Sequence, residues 1–229
     1  MARPRREEMR QEMAEQIKSI ARKQMADLGT TGLSLRGIAR EMEITAPALY
    51  HYFPRLDDLI TALLVDGFNS LAESMQRAAD AAHGNFSAKF EAAVAAYRAW
   101  ALSQPAEFHL LYGNPIPGYA APFEVTAPLA RRPFFILANL LEQGIRSGEM
   151  RIPAEYAQIP ASNAAHIASW QTAAGINAPP AWIYLLVAGW ARIHGMVVLE
   201  LFGHLQPAIG DAQDLYQDEV RRYLNMLRA

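Results

Sequence analysis

The 229 residues contain no cysteine. That absence removes disulfides, thiolate zinc sites and cysteine nucleophiles together, and it fits a reducing cytoplasm, where the chain is expected to work. The opening Met-Ala-Arg-Pro-Arg-Arg-Glu-Glu has no apolar run, so no signal peptide is expected. Also missing are the spacings that many enzymes carry: a glycine-rich phosphate loop, His-Glu-x-x-His, the paired Glu-x-x-His of di-iron bundles and a nucleophile elbow. No catalytic residue, metal site, cofactor or enzymatic activity is therefore expected. No stretch alternates with period two, and no internal repeat is present, which leaves an all-α chain.

An excess of positive charge is lacking too, because the net charge is −2. Its distribution is more informative. Residues 1–60 hold ten Lys+Arg against nine Asp+Glu, the remainder eleven against fourteen, and Arg3, Arg5 and Arg6 precede the first acid. A modest basic tip on an acidic body suits a protein that meets DNA at one end through geometry rather than through a general field. The Arg3–Arg6 segment reads as disordered in solution, either an arm able to reach a minor groove or a solvated tail.

What is present in quantity is apolar surface, 52% of the residues, enough for a sizeable core. Met13, Ile17, Ile20, Ala21, Met25 and Leu28 make one stripe at helical spacing, opened by Glu7 and Glu8 and stopped by Gly29. Behind it, Ser34 to Phe53 reads as two very short helices around a tight turn. Ser34 caps the first, with Leu35, Ile38, Ala39 and Met42 on its inner side, and Thr45 caps the second, whose first turn accommodates Pro47. Helices this short do not stand alone in water, so the first long helix must buttress them. Leu49 and Phe53 face inward. Ala46, Pro47, Ala48, Tyr50, His51 and Tyr52 are left facing out or sideways, where small residues permit close approach to a duplex and Tyr or His donates to phosphate oxygens.

Ile38-Ala39, Ile44-Thr45, Leu49-Tyr50-His51-Tyr52-Phe53-Pro54 and Asp57-Asp58-Leu59 resemble, in one register over about fifty residues, the helix-turn-helix of the tetracycline-repressor (TetR) family of bacterial transcription regulators. The resemblance implies a three-helix DNA-binding domain at the N-terminus and a larger helical domain that dimerises and binds a small effector; here these are residues 1–54 and 55–229. Three positions depart from the family pattern. Glu43 stands where glycine is usual in the turn, Gly37 where an acid would complete a capping box with Ser34, and Leu56 where lysine usually meets phosphate, a role that falls to the neighbouring Arg55. Arg36 is the candidate for a base edge, Thr45 and His51 for bases or phosphates, and Tyr50 and Tyr52 for phosphates.

Beyond Pro54 a long helix runs from Asp57 towards Ala81 and forms the only continuous connection between the domains. Residues 86–112 read as a helix and a half, and the proline-rich 113–122 as a loop. Pro128 and Pro133 confine the next regular segment to Phe134–Arg146, another helix covers Tyr156–Ala173, and a loop follows at 175–180. Ala181–Leu205 is apolar almost all round, so it lies in a core, a membrane or an oligomer interface. Arg192, His194 and Glu200 interrupt it and argue against a membrane span. With the last helix, Asp211–Arg228, it is expected to form a four-helix homodimer interface, as the resemblance also implies. Gly189-Trp190-Ala-Arg-Ile-His194-Gly195 further resembles the Trp-His-Gly (WHG) type of C-terminal domain found in part of this family.

Tyr97, Trp100, Phe108, Tyr112, His166 and Trp170 are the candidates for an aromatic effector cavity, against the alternative that they are ordinary core. His194 reads either as a polar handle in that cavity or as a buried histidine held by one hydrogen bond. The expected function is a ligand-responsive regulator, a repressor released from a palindromic double-stranded operator by an unknown hydrophobic small-molecule effector. A rival is a helical small-molecule-binding protein or enzyme that has lost DNA binding, which Glu43 and Leu56 keep open. A purely structural interaction module would offer no fillable pocket.

Overall fold

The computed structural model describes residues 3–174 and 178–228, so part of the loop expected at 175–180 lies outside the described residues. These fold into α1 (Arg3–Leu28), α2 (Leu35–Glu41), α3 (Ala46–Tyr50), α4 (Leu56–Ala81), α5 (Phe86–Ser103), α6 (Pro105–Tyr112), α7 (Phe123–Arg146), α8 (Ala154–Ala157), α9 (Ala161–Ala174), α10 (Pro180–Leu201), α11 (Gln206–Ile209) and α12 (Gln213–Leu227). Among the described residues there is no strand, only an isolated antiparallel bridge between Met150 and Arg228. The chain is all-α.

Two compact units emerge, Met1–Leu71 with Ala101–Arg132, and Ala72–Trp100 with Pro133–Ala229. The chain passes between them inside α4, near the end of α5 and inside α7. Hence α4 is not the single connection that the sequence suggested. Nor do the prolines end α7, which runs unbroken through Pro128 and Pro133. Each proline removes one backbone donor, but tertiary packing overrides local propensity. The first turn is held by Pro122, whose carbonyl accepts from the Val125 and Thr126 amides at 3.0 and 2.9 Å, while Leu137, Leu140 and Leu141 are buried further along.

In the first unit Ile17, Ala21 and Met25 of α1 pack with Leu35, Ile38 and Ala39 of α2, Leu49 of α3, and Leu59, Ile60, Leu63 and Phe68 of α4. Of the expected α1 stripe, Ile17, Ala21 and Met25 are buried, Met13 and Ile20 are half-buried against the core, and Leu28 at the end is 65% exposed. Arg3–Arg6 is the helical opening of α1 rather than a disordered arm. An ionic network crosses this unit. Lys18, nearly buried, reaches Asp66 at 2.6 Å, and Arg22 reaches Asp66 at 2.9 Å and Glu107 at 2.6 Å, so α1 is tied to α4 and α6.

The second unit is held by close packing. A Cβ on Gly189 of α10 would lie 2.6 Å from the Tyr223 hydroxyl of α12, which donates to the Leu185 carbonyl at 3.2 Å. Glycine permits that approach. The Tyr216 hydroxyl donates to the Val94 carbonyl at 2.9 Å, and Arg98 donates to Glu200 at 2.7 Å. Within this one chain α10 is not buried on every side: Val187 is 48% and Leu199 43% exposed. The apolar character read from its sequence therefore includes a face that its own chain leaves uncovered.

Candidate nucleic-acid interface and aromatic cluster

Both short helices are capped by their own sequence. The Ser34 hydroxyl accepts from the Gly37 amide at 3.3 Å and the Thr45 hydroxyl from the Ala48 amide at 3.4 Å, each satisfying a first-turn donor. The turn between them closes as a Schellman motif, with the Ile44 amide donating to the Ala39 carbonyl at 3.0 Å and the Glu43 amide to the Arg40 carbonyl at 3.2 Å. Glu43 sits at φ 55°, the sole non-glycine residue with positive φ among the described residues. The turn thus uses the left-handed conformation that favours glycine, at a cost of about 1 kcal/mol for a side chain.

Leu49 is fully buried and Phe53 nearly so, and they seat α3 against the core. Thr45, Pro47, Ala48, Tyr50 and His51 are exposed, as are Ser34 and Arg36, while Ala46 is half-buried. Tyr52 is half-buried too and leans on the core, its ring set edge-on to His51 at 5.6 Å. Arg36 and Arg40 are exposed and make no ion pair among the described residues. Arg55 is exposed, but its guanidinium is paired with Asp57, and its backbone amide donates to Asp58 at 3.0 Å. Leu56, in the place of the usual lysine, packs on the core and extends it instead of reaching outward.

Sequence reasoning missed Gln24 here. Its Oε1 accepts from the Ser34 amide at 3.3 Å, so α1 supplies a polar contact at the start of α2. The glycine at 37 was the available signal. The arrangement can present a short helix with an apolar back, a small-residue start and hydrogen-bonding side chains at its end, next to two uncompensated arginines. Such a surface has the chemistry and size to suit the phosphates and base edges of a duplex.

Comparison with known proteins agrees. Residues 17–63 match the family model for bacterial regulatory proteins of the tetR family, and residues 90–223 that for the tetracyclin repressor-like C-terminal domain. The chain belongs to the TetR family. It is 35% identical over 199 residues to the HTH-type transcriptional regulator Rv1816 of Mycobacterium tuberculosis, covering 86% of this chain and 84% of the relative. Mb1846 of Mycobacterium bovis matches equally. The crystal structure of a regulatory protein, SCO4313, is 30% identical, with a TM-score of 0.78 over 96% of this chain and 98% of that one. The TetR-family regulator PfmR of Thermus thermophilus, 15% identical with a TM-score of 0.59 over 92% and 96%, shares the fold.

As a TetR-family member the protein is a DNA-binding transcriptional regulator. The seven candidate ligand residues of this regulator are divided between the two units. Phe108 and Tyr112 lie in the first unit, where their rings are 5.2 Å apart. Tyr97, Trp100, His166, Trp170 and His194 lie in the second. There the fully buried Tyr97 meets His194 Nδ1 through its hydroxyl at 2.6 Å, and Trp190 stacks on His194 at 5.9 Å. Phe134 packs edge-on to both Trp170 and Trp190, and Phe135 stacks on Trp170. His166 is exposed and Trp100 buried. Burial pushes the His194 pKa below its ordinary 6.5, which favours the neutral ring. Trp190, Phe134 and Phe135 complete the cluster, and the adjacent Phe134-Phe135 pair was the sequence signal for them.

α10 is the single helix among the described residues long and apolar enough to cross a membrane by length and composition. Its Glu200 is paired with Arg98, and its Arg192 lies 3.9 Å from Glu219.

Proposed function

We propose that this TetR-family regulator is a ligand-responsive repressor that binds a palindromic operator as a homodimer. Residues 1–54 read DNA, and residues 55–229 dimerise and bind the effector. The observation that carries the reading is the outward set on and beside α3, Pro47, Ala48, Tyr50 and His51, pinned from behind by Leu49 and Phe53. In this reading Arg36 reaches a base edge, Tyr50 and Tyr52 bind phosphates, Thr45 and His51 touch bases or phosphates, and Ser34, Ala46, Pro47 and Ala48 form the close contact surface. Arg55 serves phosphate once DNA competes with Asp57.

A five-residue α3 reads only a few base pairs, so two copies related by a two-fold axis read half-sites ~34–36 Å apart. The exposed Val187 and Leu199 of α10 and Phe202 just beyond it support a dimer surface in which α10 and α12 meet their symmetry mates. The protein works in the cytoplasm, and α10 faces its partner rather than lipid.

For the effector, the Tyr97, Trp170 and His194 neighbourhood offers planar surfaces with one polar dyad. In the first unit a cavity of about 330 Å³ lies between α4, α6, the 113–122 loop and α7, lined by Phe68, Leu110, Leu111 and Tyr119. Both suit a neutral, largely apolar molecule. Moving the protein from 1:99 to 99:1 between binding and non-binding states requires ~5.5 kcal/mol of differential effector affinity.

The test is selection of duplexes from a random library, followed by titration of Tyr50→Ala with His51→Ala. Wild type should enrich an imperfect palindrome, and the double variant should bind it at least about tenfold more weakly while melting normally. Unchanged affinity would place the recognition surface elsewhere.

A further inference from the structure

The start of α2 is capped by two helices, not one. In a self-contained capping box the residue three beyond the cap returns its side chain to the cap's own backbone amide. Gly37 has no side chain to return. The Ser34 amide instead donates to Gln24 Oε1 of α1 at 3.3 Å, while the Ser34 hydroxyl accepts from the Gly37 amide at 3.3 Å. The two positions are matched sterically as well, for a Cβ at position 37 would lie only 3.0 Å from Gln24 Nε2. The missing side chain is the notch that admits the glutamine. The preceding residue, Lys23, holds the far end of α2 through Glu41 at 2.6 Å. Adjacent residues of α1 therefore grip both ends of a seven-residue helix.

We infer that Gln24 is a positioning residue for DNA recognition, supplying from α1 the half of the capping box that Gly37 gives up and so fixing the first turn of α2, where Arg36 stands. It touches no DNA itself. A frayed first turn leaves Arg36 without a fixed origin, and the duplex must then select the fraction of molecules in which the turn is formed, which raises the apparent Kd by the inverse of that fraction. The inference rests on the reading of Arg36 as a DNA contact.

The experiment moves the glutamine. Four full-length proteins are compared on a duplex selected by the wild type: wild type, Gln24→Ala, Gly37→Gln, and Gln24→Ala with Gly37→Gln. Loss of Gln24 should weaken binding by about twofold to fivefold, the upper figure being the whole of a typical N-cap contribution. Gly37→Gln alone should also weaken it, since both side chains then compete for one notch. The double variant rebuilds the box within α2 and should return to within about twofold of wild type. Hydrogen exchange at the Ser34 amide should accelerate in Gln24→Ala and slow again in the double variant. Thermal unfolding measured alongside identifies a variant that has merely failed to fold.

Unchanged affinity and unchanged Ser34 exchange in Gln24→Ala would overturn the inference, as would a double variant weaker than both singles. If the wild type selects no duplex, the DNA reading fails instead, and the two failures are distinct. If Ser34 exchange responds but affinity does not, the cap is structural only, and the positioning role is refuted.

Discussion

Two turns in this protein are closed by the same pair of backbone hydrogen bonds around different residues. After α10, the His204 amide donates to Leu199 and the Gly203 amide to Glu200, with Gly203 at φ 71°; after α2, the equivalent bonds enclose Glu43 at φ 55°. Glycine enters the left-handed region without strain, and glutamate does not. The difference extends to the units that contain them. The first is held by polar devices placed along the sequence: caps, a strained turn and the Lys18–Asp66–Arg22–Glu107 network. The second relies more on aromatic rings and on helix faces that approach at glycine, with the Arg98–Glu200 pair as its main ionic tie. Reading DNA needs geometry, and polar contacts fix geometry; close apolar packing fills volume instead.

That contrast can be broken most severely at Gly189. Gly189→Ala places a methyl against the Tyr223 ring and should destabilise the protein by about 3 kcal/mol, read by thermal or denaturant unfolding. Gly195, six residues on in the same helix, has nothing within 4 Å of where an added methyl would sit, so Gly195→Ala should be neutral or stabilising by up to ~1 kcal/mol. Equal losses at the two sites would deny that close approach holds α10 to α12.

The matching test of the first unit is Asp66→Ala, which leaves the nearly buried Lys18 and the half-buried Arg22 without a shared partner. A loss of about 2 kcal/mol is expected, below that of a fully buried pair because Asp66 keeps 30% of its side chain exposed. Denaturant unfolding at low and high salt checks it, and the loss should shrink as salt rises. Glu43→Gly should run the other way, stabilising by about 1 kcal/mol with the turn unchanged.

The smallest effect should come in acid. Burial lowers the His194 pKa in the folded protein, so below pH 6.5 the unfolded chain takes up a proton that the folded one refuses. Stability is full above that value and falls as pH drops through it towards the lower folded pKa. His194→Gln should remove this part of the acid sensitivity, measured as the difference in Tm between about pH 8 and about pH 5.

The two units also differ in how far they were legible. Caps at Ser34 and Thr45, inward Leu49 and Phe53, and the strained Glu43 follow from local rules that operate within four or five residues, and each was readable from the sequence. Gln24 was not, because its partner is ten residues away on another helix and only the gap at Gly37 hinted at it. Pro128 and Pro133 misled because local propensity says break where long-range packing holds α7 together. In the second unit Tyr97 was recognisable as an important aromatic, but its meeting with His194, 97 residues on, is decided by how helices pack. Leu28, apolar and in phase, ends up outside because α1 outlasts the core beneath it.

Paired reading heads are the central requirement of a palindromic operator, so the most direct measurement is the composition of the complex that purified protein forms with a duplex selected from a random library, by analytical ultracentrifugation at physiological salt. The expected result is an imperfect palindrome whose half-sites lie about one helical turn, ~34–36 Å, apart, bound by two chains per duplex. A complex of one chain on a site without two-fold symmetry, or no enrichment over random sequence, would contradict it.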